Sequence, residues 1–352
     1  MEISSEITSR LPRRFREVFS QTPGVYLVGG CVRDAMIGKI PADWDLAVAS
    51  DPPGFAERLA RAAGSRVVVM GKPGVQVWRV PFGDIFFDIS PVCGGRIERD
   101  LEKRDFTINA MACEPASGRL IDPTGGRRDL GRRVRMVSEA AFRRDPLRML
   151  RAFRLAAGLG LAIEEETMAA IRRHKGRVGD MAGERIREEL VKFFRSGAST
   201  PHLERMAETG LLETILPELT ALKQCRPNRW HRFDPFTHTL AAYGELEALL
   251  RTPEALFPDG AVAIAPKESA LLKWGMVLHD IGKSATCRTD DAGDIHYYRH
   301  ERVGAEMAAA VCERLRFSTS ESRFVEAMVR HHLRPLHLFT LDGQGRLSRR
   351  AI

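Results

Sequence analysis

Residues 27–47 of this chain have the sequence LVGGCVRDAMIGKIPADWDLA, in which a glycine pair precedes two aspartates separated by one residue. Side chains alternate between the two faces of a strand, so we expect Asp43 and Asp45 to share one face. Neighbouring carboxylates repel each other unless a divalent cation lies between them. The N–H groups of Gly29 and Gly30, just before a predicted helix, suit an anion. Such a combination is typical of phosphoryl or nucleotidyl transfer; the alternative is a β-hairpin with a solvated turn.

The composition sets the broad class of the protein. The chain has 352 residues, of which 44% are hydrophobic and 28% charged, which predicts a globular protein of two or three domains. It has no apolar run of about 18 residues, so we expect no membrane span. The N-terminal residues lack an apolar signal core and the six cysteines lack CxxC spacing, which favours a cytoplasmic location with reduced thiols. A net charge of +8 is compatible with a nucleic-acid partner.

The hydrophobic period changes along the chain. Residues 24–137 alternate short β-rich runs with helical segments, whereas from Ser138 onward apolar residues recur every three or four positions. Turn formers and prolines at 223–234 and 252–266 predict two linkers. We therefore expect an N-terminal domain of strands and helices at 1–137, followed by helical domains at 138–222 and 235–352.

Two further segments carry acids or arginines at informative positions. Asp88 is the single acid of an otherwise apolar strand, IFFDIS, and is a candidate third carboxylate facing Asp43 and Asp45; the alternative is an acid that faces solvent. In RDFTINAMA (104–112), Asp105 is predicted to cap a helix, and Arg104 just outside it could reach a phosphate. Alone, this second segment is an ordinary capped helix.

The third segment, RDPLRMLRAFR (144–154), predicts a helix with Asp145 as N-cap and Pro146 at its first position. Arg148, Arg151 and Arg154 form one stripe of like charge, and no acid follows within a turn to relieve their repulsion. An anionic partner would relieve it, so the stripe indicates nucleic acid.

Together these segments resemble the class II tRNA nucleotidyltransferase and bacterial poly(A) polymerase family, within the polymerase-β-like nucleotidyltransferases. The matching motifs are LVGGCVRD with DWD, then KRDFTINAMA, then DPLRMLRAFRLAA, in the family's order and spacing. The resemblance implies an α+β palm-like nucleotidyltransferase domain with a mixed sheet at 1–137. An all-α neck and RNA-binding region at 138–222 would follow it.

The family resemblance also implies roles for individual residues. Asp43 and Asp45 would bind Mg²⁺, Gly29, Gly30 and Arg33 would hold the triphosphate, and Arg104, Arg151 and Arg154 would line the nucleotide pocket. Asp145 and Arg148 resemble a base-reading pair, in which the carboxylate accepts from the exocyclic amine of C or A and the guanidinium donates to the ring nitrogen. Many relatives have a glutamate where this chain has Arg144, which leaves the nucleotide preference open. Residues 184–190 resemble a later family segment, to which we assign no site role.

The C-terminal histidines resemble an HD-type phosphohydrolase domain at 235–352. His238, His279, Asp280, His300 and His331 follow the order of a second divalent-metal site, and Lys283 would neutralise a phosphate there. An HD domain usually supplies a final aspartate from a later helix, and this chain stops soon after Asp342, so we expect an incomplete domain. The alternative is a degenerate HD fold kept for packing or RNA contact.

These patterns predict an Mg²⁺-dependent enzyme that transfers CMP, AMP or both from CTP and ATP to the 3′ end of RNA, with the tRNA acceptor arm as the expected partner. Neither a membrane nor an obligate protein partner is inferred. Full CCA addition, CC-only or A-only addition and poly(A) synthesis stay open, because all four activities read C or A through the same pair. An HD phosphohydrolase with an RNA-binding front end is an alternative of another class, and a non-catalytic RNA-binding relic is a third.

Overall fold

A computed structural model describes residues 13–41, 43–72, 76–225, 233–252 and 264–348, together with positions 7, 9, 74 and 254. Most of the two predicted linkers lies outside the described residues. The chain divides into two compact units, unit 1 (Met1–Asp145 and Leu161–Thr167) and unit 2 (Pro146–Gly160 and Met168–Ile352). No described helix combines the length and the apolar character that crossing a bilayer requires.

Unit 1 is built on a mixed seven-stranded sheet with the order β3-β4-β5-β2-β1-β6-β7. Its strands are β1 (Val25–Val28), β2 (Asp43–Val48), β3 (Val68–Met70), β4 (Val77–Phe82), β5 (Ile85–Pro91), β6 (Ala112–Glu114) and β7 (Arg119–Ile121). Strand β2 is antiparallel to β1 and parallel to β5. The mixed sheet followed by helices confirms the predicted fold class.

The helices of unit 1 are α1 (Arg13–Ser20), α2 (Gly30–Met36), α3 (Pro52–Ala63), α4 (Ile97–Leu101), α5 (Gly126–Asp129) and α6 (Ala140–Arg144). A short parallel pair, β8 (Arg133–Val134) and β9 (Ala162–Ile163), completes the unit. The predicted helix at 106–110 is wrong, because Thr107–Asn109 form only a short 3₁₀ turn.

Opposite faces of β2 have opposite characters, and this sets the strand register. Trp44 and Leu46 are buried in a core with Phe15 of α1, Phe55 of α3 and other apolar residues. Asp43 and Asp45 point to the other face and are exposed. Shifting the register by one residue would bury both carboxylates in that core, at a cost of several kcal/mol each, so the DWDL alternation specifies the pairing.

Among its described residues, unit 2 is helical apart from the short ribbon β10 (Arg288–Thr289) and β11 (Ile295–His296). Its first helices are α7 (Arg148–Leu159), α8 (Glu165–His174, whose first three residues count with unit 1), α9 (Gly183–Phe194), α10 (Thr200–Thr209), α11 (Leu211–Ile215) and α12 (Glu218–Leu222). The later helices are α13 (Pro235–Arg251), α14 (Pro266–Leu278), α15 (Lys283–Thr286), α16 (His300–Arg314), α17 (Thr319–His331) and α18 (Arg334–Gly343). Helix α14 packs against α9, α13 and α17, and α17 packs against α16.

The start of α7 differs from the prediction. Asp145 and Pro146 were predicted as the N-cap and first residue of this helix, but the helix begins at Arg148 with Leu147 as N-cap. Asp145 instead follows the last residue of α6 as its C-cap, in an extended conformation (φ −144°, ψ 97°). Proline at 146 disfavours helical geometry at the residue before it, which separates the two helices at this point.

Candidate nucleotide and metal sites

The first candidate site lies on the exposed face of β2, the central strand of the sheet in unit 1. Asp43 and Asp45 lie two positions apart on β2 and share its exposed face, with Trp44 buried between them on the other side. Exposed carboxylate oxygens are the ligands that Mg²⁺ prefers, since this ion keeps several waters and takes one or two protein carboxylates beside substrate phosphates. The donor set therefore fits the expected ion.

Gly29 lies close to one of these carboxylates, that of Asp45. Its backbone has φ +77°, a conformation that favours glycine. A Cβ at this position would lie 2.8 Å from Nη1 of Arg104 and 3.6 Å from Oδ2 of Asp45. The missing side chain thus leaves the space in which the Arg104 guanidinium approaches the carboxylate.

Asp100 orients the guanidinium of Arg104. Its Nε donates to Oδ2 of Asp100 at 3.1 Å, which leaves Nη1 near Gly29. Desolvation raises the pKa of Asp45 above its ordinary value although the side chain keeps accessible surface; Arg104 opposes this rise, whereas the negative charges of Asp88 and Asp43 add to it. An added cation would relieve this excess of negative charge.

Arg33 is fixed by a network that joins α2 to the 3₁₀ turn. Its guanidinium donates to Oδ1 of Asp34 at 2.9 Å and to Oδ1 of Asn109 at 2.6 Å. The Asn109 amide in turn donates to Oδ1 of buried Asp105 at 3.2 Å. Sequence reasoning missed Asn109 as a partner of Arg33, because the two residues are 76 positions apart.

Asp88 lies directly beside Asp45 in the β2–β5 register, as the sequence predicted for a facing strand. Both of its oxygens, however, accept hydrogen bonds from Arg79 of β4, at 2.7 and 2.6 Å. A bidentate guanidinium already neutralises this carboxylate. The structure therefore gives Asp88 a partner that neither sequence alternative included.

The arginine stripe of α7 has an acidic partner within the chain. Nε of Arg151 and Nε of Arg154 donate to opposite oxygens of Glu189 on α9, at 3.4 and 2.7 Å. Glu189 is buried and its segment was assigned no site role. The expectation that an anionic partner is needed to relieve the repulsion is corrected for these two arginines, because a buried carboxylate of the same chain relieves it.

Arg144 is also held in place by a hydrogen bond. Its Nη2 donates to the backbone carbonyl of Lys103 at 2.8 Å, next to Arg104. The segment that leads to Asp145 is thereby joined to the segment that carries Arg104.

The second candidate site is a histidine cluster in unit 2. The Nε2 atoms of four imidazoles converge on the buried carboxylate of Asp280, at 3.2 to 3.7 Å: His238, His279, His300 and His332. Burial alone would raise the pKa of Asp280, but hydrogen bonds from His279 and His300 and the charge of Lys283 hold it well below its usual range.

Backbone carbonyls orient three of these rings. Nδ1 of His279, His300 and His332 lies 2.7 to 2.8 Å from the carbonyl oxygen of the residue three positions earlier. A carbonyl oxygen can only accept, so Nδ1 carries a proton in each of these rings and Nε2 is the atom that faces the cluster. Metal-binding histidines are oriented in this way, and imidazoles with one carboxylate suit a transition-metal ion.

Two expectations about this cluster need correction. The structure places His332 in the cluster, whereas the predicted ligand His331 is exposed and lies outside both groups of converging donor atoms found in the described residues. Lys283 is buried and donates to Oδ2 of Asp280 at 2.7 Å, so its charge is used by the aspartate rather than held ready for a phosphate.

Comparisons with known proteins agree with this arrangement. Three family models match: the poly A polymerase head domain at residues 25–92 and 87–135, the probable RNA and SrmB-binding site of polymerase A at 160–223, and the HD domain at 236–348. An A-adding tRNA nucleotidyltransferase from Deinococcus radiodurans is 36% identical over 331 residues, covering 92% of this chain and 71% of its own. A CC-adding tRNA nucleotidyltransferase from Thermus thermophilus is 34% identical over 313 residues, covering 87% and 68%.

The fold is also similar to solved structures. The Thermotoga maritima CCA-adding enzyme complexed with tRNA superposes with a TM-score of 0.69 at 23% identity, over 98% of this chain and 76% of that enzyme.

Proposed function

This chain belongs to the tRNA nucleotidyltransferase family, and from that premise we propose that it transfers CMP, AMP or both from CTP and ATP to the 3′ end of tRNA without a template. Among the activities that fit this description, we favour synthesis or repair of the 3′ CCA end. Such a reaction needs tRNA and nucleoside triphosphates in one compartment, so we propose a cytoplasmic location.

The observation that carries this proposal is that Arg104 and Asp45 both border the space that a side chain at Gly29 would occupy. A carboxylate for a metal ion and a guanidinium for a phosphate lie together at a backbone position that only glycine fits. Transfer to a 3′-hydroxyl needs both charges at one place, because the triphosphate is anionic and its reacting group is held by the metal.

We assign Mg²⁺ to Asp43 and Asp45; when bound, it neutralises triphosphate charge and favours ionisation of the attacking hydroxyl. Arg104, steadied by Asp100, and Arg33, steadied by Asn109, bind the phosphates and offset the charge that develops on departing pyrophosphate. Their partners fix these guanidiniums before the substrate binds, which reduces the ordering needed during the reaction. Asp145 and Arg148 keep their proposed base-reading roles.

The test offers purified protein a tRNA truncated before its 3′ CCA, with labelled CTP and ATP separately and together. Product length and sequence distinguish CCA, CC-only, A-only and poly(A) synthesis. Asp43→Asn should reduce incorporation at least about a hundredfold. Asp84→Asn, which changes an exposed aspartate of the same unit, is the matched control. Undiminished incorporation by Asp43→Asn would refute the metal assignment.

A second candidate activity, metal-dependent phosphohydrolysis, is supported by the four Nε2 atoms around Asp280. A transition-metal ion held there would supply an activated water and polarise a phosphoryl oxygen. The two activities separate by mutation. Asp43→Asn should remove incorporation and spare hydrolysis of p-nitrophenyl phosphate, whereas His279→Ala should do the reverse. Loss of hydrolysis in Asp43→Asn, or its survival in His279→Ala, would contradict this assignment.

A further inference from the structure

A basic cavity of about 720 Å³ opens in unit 1 beside β8 and β9. Neither the nucleotide site nor the histidine cluster shares a residue with it. Its lining is Arg128, Asp129, Arg132, Arg133, Arg135, Ala162 and Glu164.

A buried acid fixes part of the cavity wall. Asp129 accepts from Nε of Arg133 at 2.8 Å through one oxygen and from Nε of Arg135 at 2.7 Å through the other. Thr107 also donates to Asp129, and burial leaves this side chain only 2% exposed. Burial alone would raise the pKa of Asp129, but the hydrogen bonds from Arg133, Thr107 and Arg135 lower it below its ordinary value. Both guanidiniums are therefore held in place.

The cavity has a surplus of positive charge. Glu164 lies 3.6 Å from Nη1 of Arg133, so both lining carboxylates are engaged with arginines that Asp129 already orients. Arg128 and Arg132 are exposed and make no ion pair with any residue that the structure describes. Two unneutralised guanidiniums at one cavity favour an anionic partner.

The chemistry of the lining distinguishes a nucleic-acid backbone from a nucleotide base. None of the described lining residues is aromatic, so the cavity offers no surface on which a base could stack. Its volume exceeds that of a single phosphate group. We propose that this cavity binds successive backbone phosphates of the RNA substrate, as a docking surface on unit 1 that is separate from the nucleotide site. The proposal rests on the proposed function and specifies how that same RNA is held.

The test measures binding of the truncated tRNA, without nucleotide, by the double variant Arg128→Gln/Arg132→Gln. Affinity at about 0.1 M salt should fall about tenfold, and the slope of log affinity against log salt should become shallower by about 1.4 to 1.8, for two lost phosphate contacts. The matched control Arg61→Gln/Arg66→Gln removes the same charge from exposed arginines of the same unit outside the cavity. Arg128→Lys/Arg132→Lys keeps the charge and should keep the slope.

Equal affinity and slope for the cavity pair and the control pair would overturn the proposal. Pyrophosphate that binds the wild type but not the cavity variant, and that does not displace the tRNA at constant ionic strength, would also overturn it, since that result assigns the cavity to a free phosphate. The KM values for ATP and CTP should stay unchanged. Because the binding assay needs no catalysis, a wild-type protein that binds RNA but adds no nucleotide would contradict the proposed function alone.

Discussion

At the scale of single residues, Gly29 decides whether the phosphate-binding and metal-binding groups can meet. Two separate features of this position favour glycine. Its φ is positive, and a Cβ there would lie only 2.8 Å from Nη1 of Arg104. Gly38 has a similar φ of +79° but nothing within 4 Å of its would-be Cβ. Comparing substitutions at Gly29 and Gly38 therefore separates the cost of backbone strain from the effect of filling the space beside Arg104.

Replacing either glycine by alanine should destabilise the protein by about 1–3 kcal/mol, because both positions have a positive φ that residues with a side chain rarely adopt. Only Gly29→Ala displaces Arg104, so incorporation should fall about a hundredfold in this variant and stay near wild type in Gly38→Ala. Denaturant unfolding and the incorporation assay measure the two effects. Equal activity of the two variants would show that the Arg104 approach is irrelevant to catalysis.

Asp88 gives a second prediction at this scale. Since Arg79 occupies both of its oxygens, Asp88→Asn should keep incorporation within about tenfold of wild type, whereas Asp45→Asn should lose at least about a hundredfold. Mg²⁺ titrations of activity check the difference. A loss in Asp88→Asn as large as that in Asp45→Asn would restore Asp88 as a third metal ligand.

At the scale of elements, a buried ion pair joins three helices of unit 2. Glu247 of α13 accepts from Nζ of Lys273 of α14 at 2.6 Å, and from the backbone N–H groups of Ser199 and Thr200 at the start of α10. The side chains of Glu247 and Lys273 are only 3% and 2% exposed. Removing one partner leaves the other charged and buried, which is far more costly than removing both.

Glu247→Gln should therefore destabilise unit 2 by about 3–5 kcal/mol at pH 7. Burial alone would raise the pKa of Glu247, but hydrogen bonds from Lys273, Ser199 and Thr200 lower it from 4.5 to about 2. A lowered folded-state pKa gives stability that is present above pH 4.5 and is lost as the pH falls towards 2. The difference between wild type and variant should shrink across that range in denaturant unfolding.

The control for this prediction is Glu245→Gln, which changes an exposed glutamate on the same helix. It should leave stability within about 0.5 kcal/mol of wild type. A constant difference between wild type and Glu247→Gln from pH 5 to pH 2 would contradict the assigned pKa.

At the scale of the whole molecule, the histidine cluster shows how distant segments assemble one site. His238 lies on α13, His279 and Asp280 follow α14, His300 begins α16, and His332 follows α17. These residues span almost one hundred positions of sequence. Only the packing of α13, α14, α16 and α17 within unit 2 brings their Nε2 atoms together.

His332→Ala should therefore lower the content of bound transition metal, while the adjacent His331→Ala should leave it unchanged. Each variant removes one imidazole from the same pair, so charge and composition are matched. Dialysis against Mn²⁺ or Ni²⁺ followed by elemental analysis gives the metal per chain. Metal loss in His331→Ala but not in His332→Ala would reverse the choice of ligand.

The sequence by itself determined the strand alternation of DWDL, the single face shared by Asp43 and Asp45, and the family. These features depend on local periods and on motifs read within a few residues, so no distant contact is needed to infer them. Helix boundaries were less secure: the predicted N-cap at Asp145 became the C-cap of α6, because a proline restricts the preceding residue without fixing where the next helix starts.

Only the tertiary structure decided which partners the charged side chains take. Glu189 lies 38 and 35 positions from Arg151 and Arg154, and a search within one helical turn could not find it. The sequence likewise could not show that His332, and not His331, joins the histidine cluster, since this depends on how the end of α17 packs in unit 2. Local patterns specify which face of an element a residue occupies, whereas the charge that meets it there depends on the packing of elements far apart in the chain.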